Sequence, residues 1–114
     1  MRIGVVGMGW VGTSVAMSVL HAGFASELWL NDLRPGLAHG EAMDMSHCAP
    51  FLPRCEVRAA ELDELVACDA IVITAGRAGR PDESRLDLNR DNAGIVASIA
   101  ERLRTFQGLL IVDQ

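Results

Sequence analysis

No apolar run in the chain reaches the roughly 18–20 residues that a bilayer span needs, so no membrane role is expected. No secretory leader is expected either: Val5 and Val6 run straight into glycines, with no charged lead and no extended apolar segment. No basic run stands out and the formal net charge is −5, which argues against a nucleic-acid partner. The three cysteines, Cys48, Cys55 and Cys68, are odd in number and form no C-x-x-C, the usage of free thiols in a reducing cytosol. The three histidines, His21, His39 and His47, lack a zinc-ligand spacing, so no metal is expected. What is present is the composition of a globular domain with a real core: 114 residues, 50% hydrophobic, 22% charged, mean hydropathy +0.23.

Apolar strands alternate with helical patterns along the whole chain. Arg2–Val6 reads as a strand, Gly7–Gly12 as a turn, and Trp10–His21 as a helix with Val11, Val15, Val19 and Leu20 at helical spacing, closed by Gly23. Glu27–Leu30 reads as a second strand, stopped at Asn31-Asp32. A second helix follows Pro35 and runs to about His47, with Leu37, Ala42, Met43 and Met45 on its face. Pro50 and Pro53 punctuate a loop, Cys55–Arg58 reads as a third strand, and Ala60–Val66 as a short helix with an acidic outer face. Asp69–Thr74 is a buried strand, Ala75–Asp82 a glycine-rich basic loop, Ser84–Phe106 a long helix with Ile95, Ile99 and Leu103 on one face, and Leu109–Val112 a last strand. The order β-α-β-α-β-α-β-α-β predicts an α/β fold, a doubly wound parallel sheet of the Rossmann type.

Gly7-x-Gly9-x-x-Gly12 lies between the first strand and the first helix, and Asp32 follows 20 residues beyond Gly12 at the end of the second strand. Alone the glycine motif is weak; in this setting it reads as a dinucleotide cradle. Gly7 permits the tight turn, Gly9 lets backbone approach a pyrophosphate, and Gly12 lets the helix pack on the strand. The N–H groups at the helix start, contributed by the backbone of Met8, Trp10 and Val11 with the glycines, would face the phosphates. Asp32 would accept from the ribose hydroxyls and repel a 2′-phosphate, which favours NAD over NADP, while the neighbouring Arg34 could soften that repulsion. The bland readings are that Gly9 and Gly12 only permit packing, that Asp32 caps a helix, and that Trp10 is a bulky residue at a helix start.

The segment ITAGRAGRPDESRLDLNRDN (73–92) resembles the lactate/malate dehydrogenase family of NAD-dependent L-2-hydroxyacid dehydrogenases, and GEAMDMSHCAPF (40–51) resembles that family's matching helix and loop. The resemblance implies an oxidoreductase that moves a hydride between NAD and a 2-hydroxy or 2-oxo acid, working as a homo-oligomer or with full-length subunits, with the helix up to His47 near a subunit contact. It implies that Thr74, Ala75 and Gly76 line the cofactor and that Asn92 lies near it. It implies that the Arg80–Arg85 loop closes over substrate. Arg85 resembles the family's arginine that polarises the substrate carbonyl, where negative charge develops. Without the surrounding string, Arg85 and Asn92 would read as an exposed helix-start residue and an ordinary polar helix position, and Arg77 and Arg80 as solvated loop charges.

Two features depart from the family pattern. Gly79 stands where lactate enzymes usually carry glutamine and malate enzymes arginine. Either a larger or more apolar 2-oxo acid fits the space, or Arg77 or Arg80 swings in to meet a second carboxylate. At the other end, LLIVDQ (109–114) resembles the family's fifth strand, with Gln114 in the place of a substrate-contacting asparagine. The family's catalytic histidine and aspartate fall beyond it. Residues 1–114 are therefore expected to be an incomplete NAD-binding domain, cut after the fifth strand and inactive alone. The other reading is a non-catalytic dinucleotide-binding or subunit-interaction module. In both, Leu109–Val112 is an unblunted sheet edge.

Overall fold

The computed structural model describes residues 1–34, 36–47 and 54–113. The loop expected around Pro50 and Pro53, together with Pro35, Cys48 and Gln114, lies outside them. Five strands form one sheet: β1 (Arg2–Val6), β2 (Glu27–Asn31), β3 (Glu56–Ala59), β4 (Ala70–Ile73) and β5 (Leu109–Val112). All pairings are parallel, in the order β3-β2-β1-β4-β5, with Gly4 opposite Trp29 on one side and Ile71 on the other. This is the doubly wound arrangement that the sequence predicts, with its switch point between β1 and β4.

Adjacent residues of a strand face opposite sides, so a sheet covered on both faces needs unbroken apolar runs. Ile3, Val5, Leu28 and Leu30 pack on α1 (Trp10–Ala22) and α2 (Leu37–His47), while Val6, Trp29, Ile71 and Ile73 pack on a 3₁₀ helix (Leu62–Ala67) and α3 (Arg85–Arg102). Burying each of Leu28, Leu30, Leu65, Ile71 and Ile73 contributes roughly 1.5–3 kcal/mol. Trp29 is covered by two guanidiniums, with Arg2 at 4.5 Å and Arg58 at 3.8 Å from the ring centre, and its indole N–H donates to Glu27 Oε1 at 3.4 Å.

Several boundaries and faces differ from expectation, each for a local reason. The buried stripe of α1 is Gly12, Ala16 and Leu20: Leu20 is the expected core residue, but at Gly12 and Ala16 the helix lies so close to the sheet that small residues face it, leaving Val11 exposed and Val15 and Val19 half-buried against the core. Likewise Ala38 takes the core position on α2 while Met43 is exposed. The segment after β3 is too short to sustain α-helix and winds as 3₁₀, held by a reciprocal cap between Glu61 and Glu64. Ser84 is the cap of α3 rather than its first residue, accepting from Asp87 N–H at 3.1 Å. The helix stops at Arg102 because the Leu103 N–H is shared between the carbonyls of Ile99 and Ala100, a tightening that turns the chain towards β5. β5 is exposed along its whole length, as the edge strand the sequence predicts.

Candidate functional site

The C-terminal ends of β1, β2, β4 and β5 open into one crevice of about 1020 Å³. Its floor is the turn from β1 into α1, where the three glycines do different work. Gly7 has φ +97°, a left-handed conformation, and a Cβ on it would stand 2.9 Å from Ala75 N. A Cβ on Gly12 would stand 1.6 Å from Gly7 O. The protein itself therefore requires both glycines. Gly9 is different: its φ of −77° suits any residue, and a Cβ there meets nothing within 4 Å. Its missing side chain leaves space on the crevice side of the turn. A helix leaves its first N–H groups without carbonyl partners, here those of Trp10, Val11 and Gly12, and Gly9 has no side chain to cap them. An anion set against Gly9 would receive them with the favourable end of the helix dipole.

Beside this turn, at the end of β2, Asp32 is nearly buried. Its Oδ2 accepts from Met8 N–H at 2.6 Å and from Arg34 Nη2 at 3.0 Å; its Oδ1 accepts from Arg34 N–H at 2.8 Å and Nε at 2.9 Å. Burial pushes the carboxyl up, but the Arg34 guanidinium and the two backbone N–H groups outweigh it and hold the group at about 2. Asp32 is thus a fixed anion. Met8 carries its side chain into the core and its N–H to Asp32, so it orients the carboxylate instead of facing the floor.

On the other side, the Thr74 hydroxyl donates to Gly7 O at 2.9 Å and Val6 O at 3.1 Å, which pins the turn to β4. Asn92 of α3 accepts from Arg77 N–H at 2.9 Å, and its side chain lies 3.2 Å from where a Gly76 Cβ would be. Arg77 is clasped by two carboxylates, Glu83 through both Nη atoms and Asp91 through Nε at 3.1 Å and Nη2 at 2.6 Å. The Glu83 carboxyl is held at about 2 by this hydrogen bonding, and its Oε1 also accepts from Arg80 N–H at 3.2 Å. The clasp ties the loop after β4 to the first turns of α3. It also occupies Arg77, one of the two cations considered for a second substrate carboxylate.

The structure brings Gly7, Gly9, Trp10, Val11, Gly12, Asp32, Thr74, Ala75, Gly76 and Asn92 to one crevice. Gly79, Arg80 and Arg85 stay outside its lining. A Cβ on Gly79 would meet Leu88 at 3.2 Å, so the loop packs on α3 at that point. Arg80 and Arg85 are exposed, and neither forms an ion pair among the described residues. Asp113, at the end of β5, also lines the crevice; sequence reasoning passed over it because a lone aspartate after a strand has no distinguishing pattern. Among the described residues no group of His, Cys, Asp and Glu could hold a metal ion, and no helix is long and apolar enough to cross a membrane.

This geometry agrees with comparisons against known proteins. A model of the lactate/malate dehydrogenase NAD binding domain matches residues 1–111. The L-lactate dehydrogenase of Pseudothermotoga lettingae is 36% identical over 112 residues, covering 98% of this chain and 36% of that protein. That of Bacillus caldotenax is 39% identical over 114 residues, covering 97% and 36%. Among solved structures, minor L-lactate dehydrogenase from Enterococcus mundtii superposes with a TM-score of 0.93 at 32% identity, over 97% of this chain and 36% of that one. Malate dehydrogenase from Archaeoglobus fulgidus, solved in complex with NADH, superposes with a TM-score of 0.87 at 36% identity, over 98% of this chain and 40% of that one. The chain spans a little over a third of the length of the curated relatives it matches.

Proposed function

The chain belongs to the lactate/malate dehydrogenase family, whose NAD-binding domain it matches, and from that premise we propose that residues 1–114 are the dinucleotide-holding portion of an oxidoreductase acting on a 2-hydroxy or 2-oxo acid. The observation that carries this reading is the contrast among the glycines. Gly7 and Gly12 are demanded by the protein, whereas Gly9 is demanded by nothing in it, and the space it leaves adjoins unpartnered N–H groups and the fixed anion Asp32.

In this reading the backbone of Gly9, Trp10, Val11 and Gly12 holds the pyrophosphate. Met8 acts through Asp32, which takes the adenosine ribose. Thr74, Ala75, Gly76 and Asn92 line the remaining half of the crevice, over β4 and β5. Bound there, NAD supplies or accepts the hydride. Arg85 is the proposed catalytic cation, turning with the Arg80–Arg85 loop to meet the carbonyl oxygen where negative charge develops. Gly79 and Arg80 shape the substrate end. No histidine lines the crevice among the described residues, and in this reading the proton partner for that oxygen is the histidine that the family resemblance puts beyond residue 114. We place the protein in the cytoplasm, on the free thiols Cys55 and Cys68.

In a second reading, a non-catalytic module that assembles with full-length subunits, the exposed apolar strand β5 is the docking edge. Calorimetry with NAD, followed by assays of pyruvate and oxaloacetate reduction, separates the two. The first reading expects NAD binding by residues 1–114, no turnover by them alone, and turnover by a full-length polypeptide that contains them. A full-length product that binds NAD and reduces neither these acids nor larger 2-oxo acids supports the second. Absence of NAD binding overturns the first and leaves the second only as a subunit-interaction module.

A further inference from the structure

Four charged residues line the crevice, Asp32, Arg34, Arg77 and Asp113, and all but the last are committed to charged partners. Arg34 holds Asp32 in a two-pronged fork through Nε and Nη2. Arg77 has all five of its N–H donors engaged: Nε and Nη2 on Asp91, Nη1 and Nη2 on Glu83, and Nη1 on the Ala78 carbonyl. Asp113 is the exception. Its N–H donates to Ile73 O at 2.9 Å, which extends the β4–β5 ladder by one residue and fixes its backbone at the crevice wall. The residue is exposed and enters no ion pair among the described residues. The sheet order sets where this free charge lies. β2, which ends at Asp32, flanks β1 on one side, and β5 lies on the other side, beyond β4. Two strand spacings put Asp113 about 10 Å from the glycine turn. With the adenosine ribose on Asp32 and the pyrophosphate on the turn, the rest of the dinucleotide runs over β4 towards Asp113. That rest ends in the nicotinamide, a cation in NAD and a neutral ring in NADH.

We propose that Asp113 makes this end of the crevice favour the cationic ring, and so shifts the balance of binding from NADH towards NAD. A carboxylate there attracts the oxidised ring and gains nothing from the reduced one. Its repulsion of the pyrophosphate is the same for both forms and cancels in their ratio. By linkage, a site that holds NAD more tightly relative to NADH makes the bound reduced form a stronger hydride donor. This inference rests on the dinucleotide reading above and assigns a part to a residue that the reading does not use.

The test is calorimetric titration of wild type, Asp113→Asn and Asp113→Glu with NAD, with NADH and with ADP-ribose, which lacks the nicotinamide ring. For unit charges about 7 Å apart, between protein surface and bulk water, Coulomb's law gives roughly threefold to tenfold in affinity. At low salt, Asp113→Asn should therefore raise the ratio of the NAD and NADH dissociation constants by that factor. Asp113→Glu keeps the charge and should stay near the wild-type ratio. At about 1 M salt, where the Debye length is about 3 Å, the gap between wild type and Asp113→Asn should close. ADP-ribose should follow NADH, since neither carries the ring cation. A folded Asp113→Asn protein that keeps the wild-type ratio, or an Asp113→Glu protein that behaves as Asp113→Asn does, overturns the proposal and leaves Asp113 a solvated strand end. Equal losses for NAD and ADP-ribose overturn it too, because the residue then acts on sugar or phosphate and not on the ring. If wild type binds no ligand of the set, the dinucleotide reading falls first and the proposal with it.

Discussion

Replacing Gly9 and Gly12 by alanine, one at a time, separates what the ligand demands from what the fold demands. The methyl carbon of Gly12→Ala would stand 1.6 Å from Gly7 O, 2.8 Å from its carbonyl carbon and 2.7 Å from Thr74 Oγ1. Two of these atoms are backbone, so no rotamer change relieves the clash and α1 must move off β1. Such overpacking costs roughly 3 kcal/mol or more, which lowers Tm by about 12 °C or more in a domain of this size. Gly9→Ala meets no atom within 4 Å and keeps an allowed φ of −77°. The poorer cap costs up to about 1 kcal/mol, and the less flexible unfolded chain offsets about 0.4–1 kcal/mol of that. The melt should stay within several degrees of wild type. Binding should behave oppositely. In the proposed dinucleotide reading the new methyl would stand where a phosphate sits and block at least one charge-assisted amide bond, about 1.5–3 kcal/mol or roughly 10- to 150-fold in Kd for NAD. Thermal melts by circular dichroism and calorimetric titration below the transition read both effects. A Gly9→Ala protein that melts as low as Gly12→Ala, or that binds NAD as wild type does, would refute the division of roles.

Three further outcomes follow from the same geometry. Asp32 is held at about 2 in the folded chain against an ordinary value of 3.8, so its stabilising effect is full above the ordinary value and disappears as pH falls towards 2; acid unfolding of Asp32→Asn should show a shallower slope across that window, and an unchanged slope contradicts the assignment. Arg77→Met opens the clasp to Glu83 and Asp91, so limited proteolysis should cut the loop between 77 and 83 faster with little change in Tm; equal cutting rates mean that the clasp does not restrain the loop. Residues 1–114 should self-associate with rising concentration through β5, and Ile111→Lys should lower that association in sedimentation experiments; a wild-type chain that stays monomeric throughout excludes the edge as an assembly surface.

The sheet was legible because its strands are unbroken apolar runs. Val5 and Val6 are adjacent, face opposite sides and are both buried, which only a doubly covered sheet explains. The glycine turn and the place of Asp32 beside it were legible because the strand–turn–helix–strand unit fixes their spacing. The faces of α1 and α2 were not. A hydrophobic pattern favours Val11 and Met43, whereas the closeness of helix to sheet selects Gly12, Ala16 and Ala38. The Asp32–Arg34 fork and the Arg77 clasp were also hidden. They join side chains through the particular path of two loops, and that path has no periodic signature. Arg34 drew notice only as a charge near Asp32, and Arg77 only as a loop cation free to move; its two carboxylate partners show that it is not.

The two tryptophans occupy contrasting environments. Trp10 is 94% exposed at the mouth of the crevice, and Trp29 is enclosed between two guanidiniums on a sheet face. Their fluorescence therefore reports separate events. Emission from Trp10 should respond to a molecule entering beside α1 while the sheet stays intact, and emission from Trp29 should stay steady until the strands part. Single-tryptophan versions of the chain would let occupancy and unfolding be followed optically in one sample, without any label.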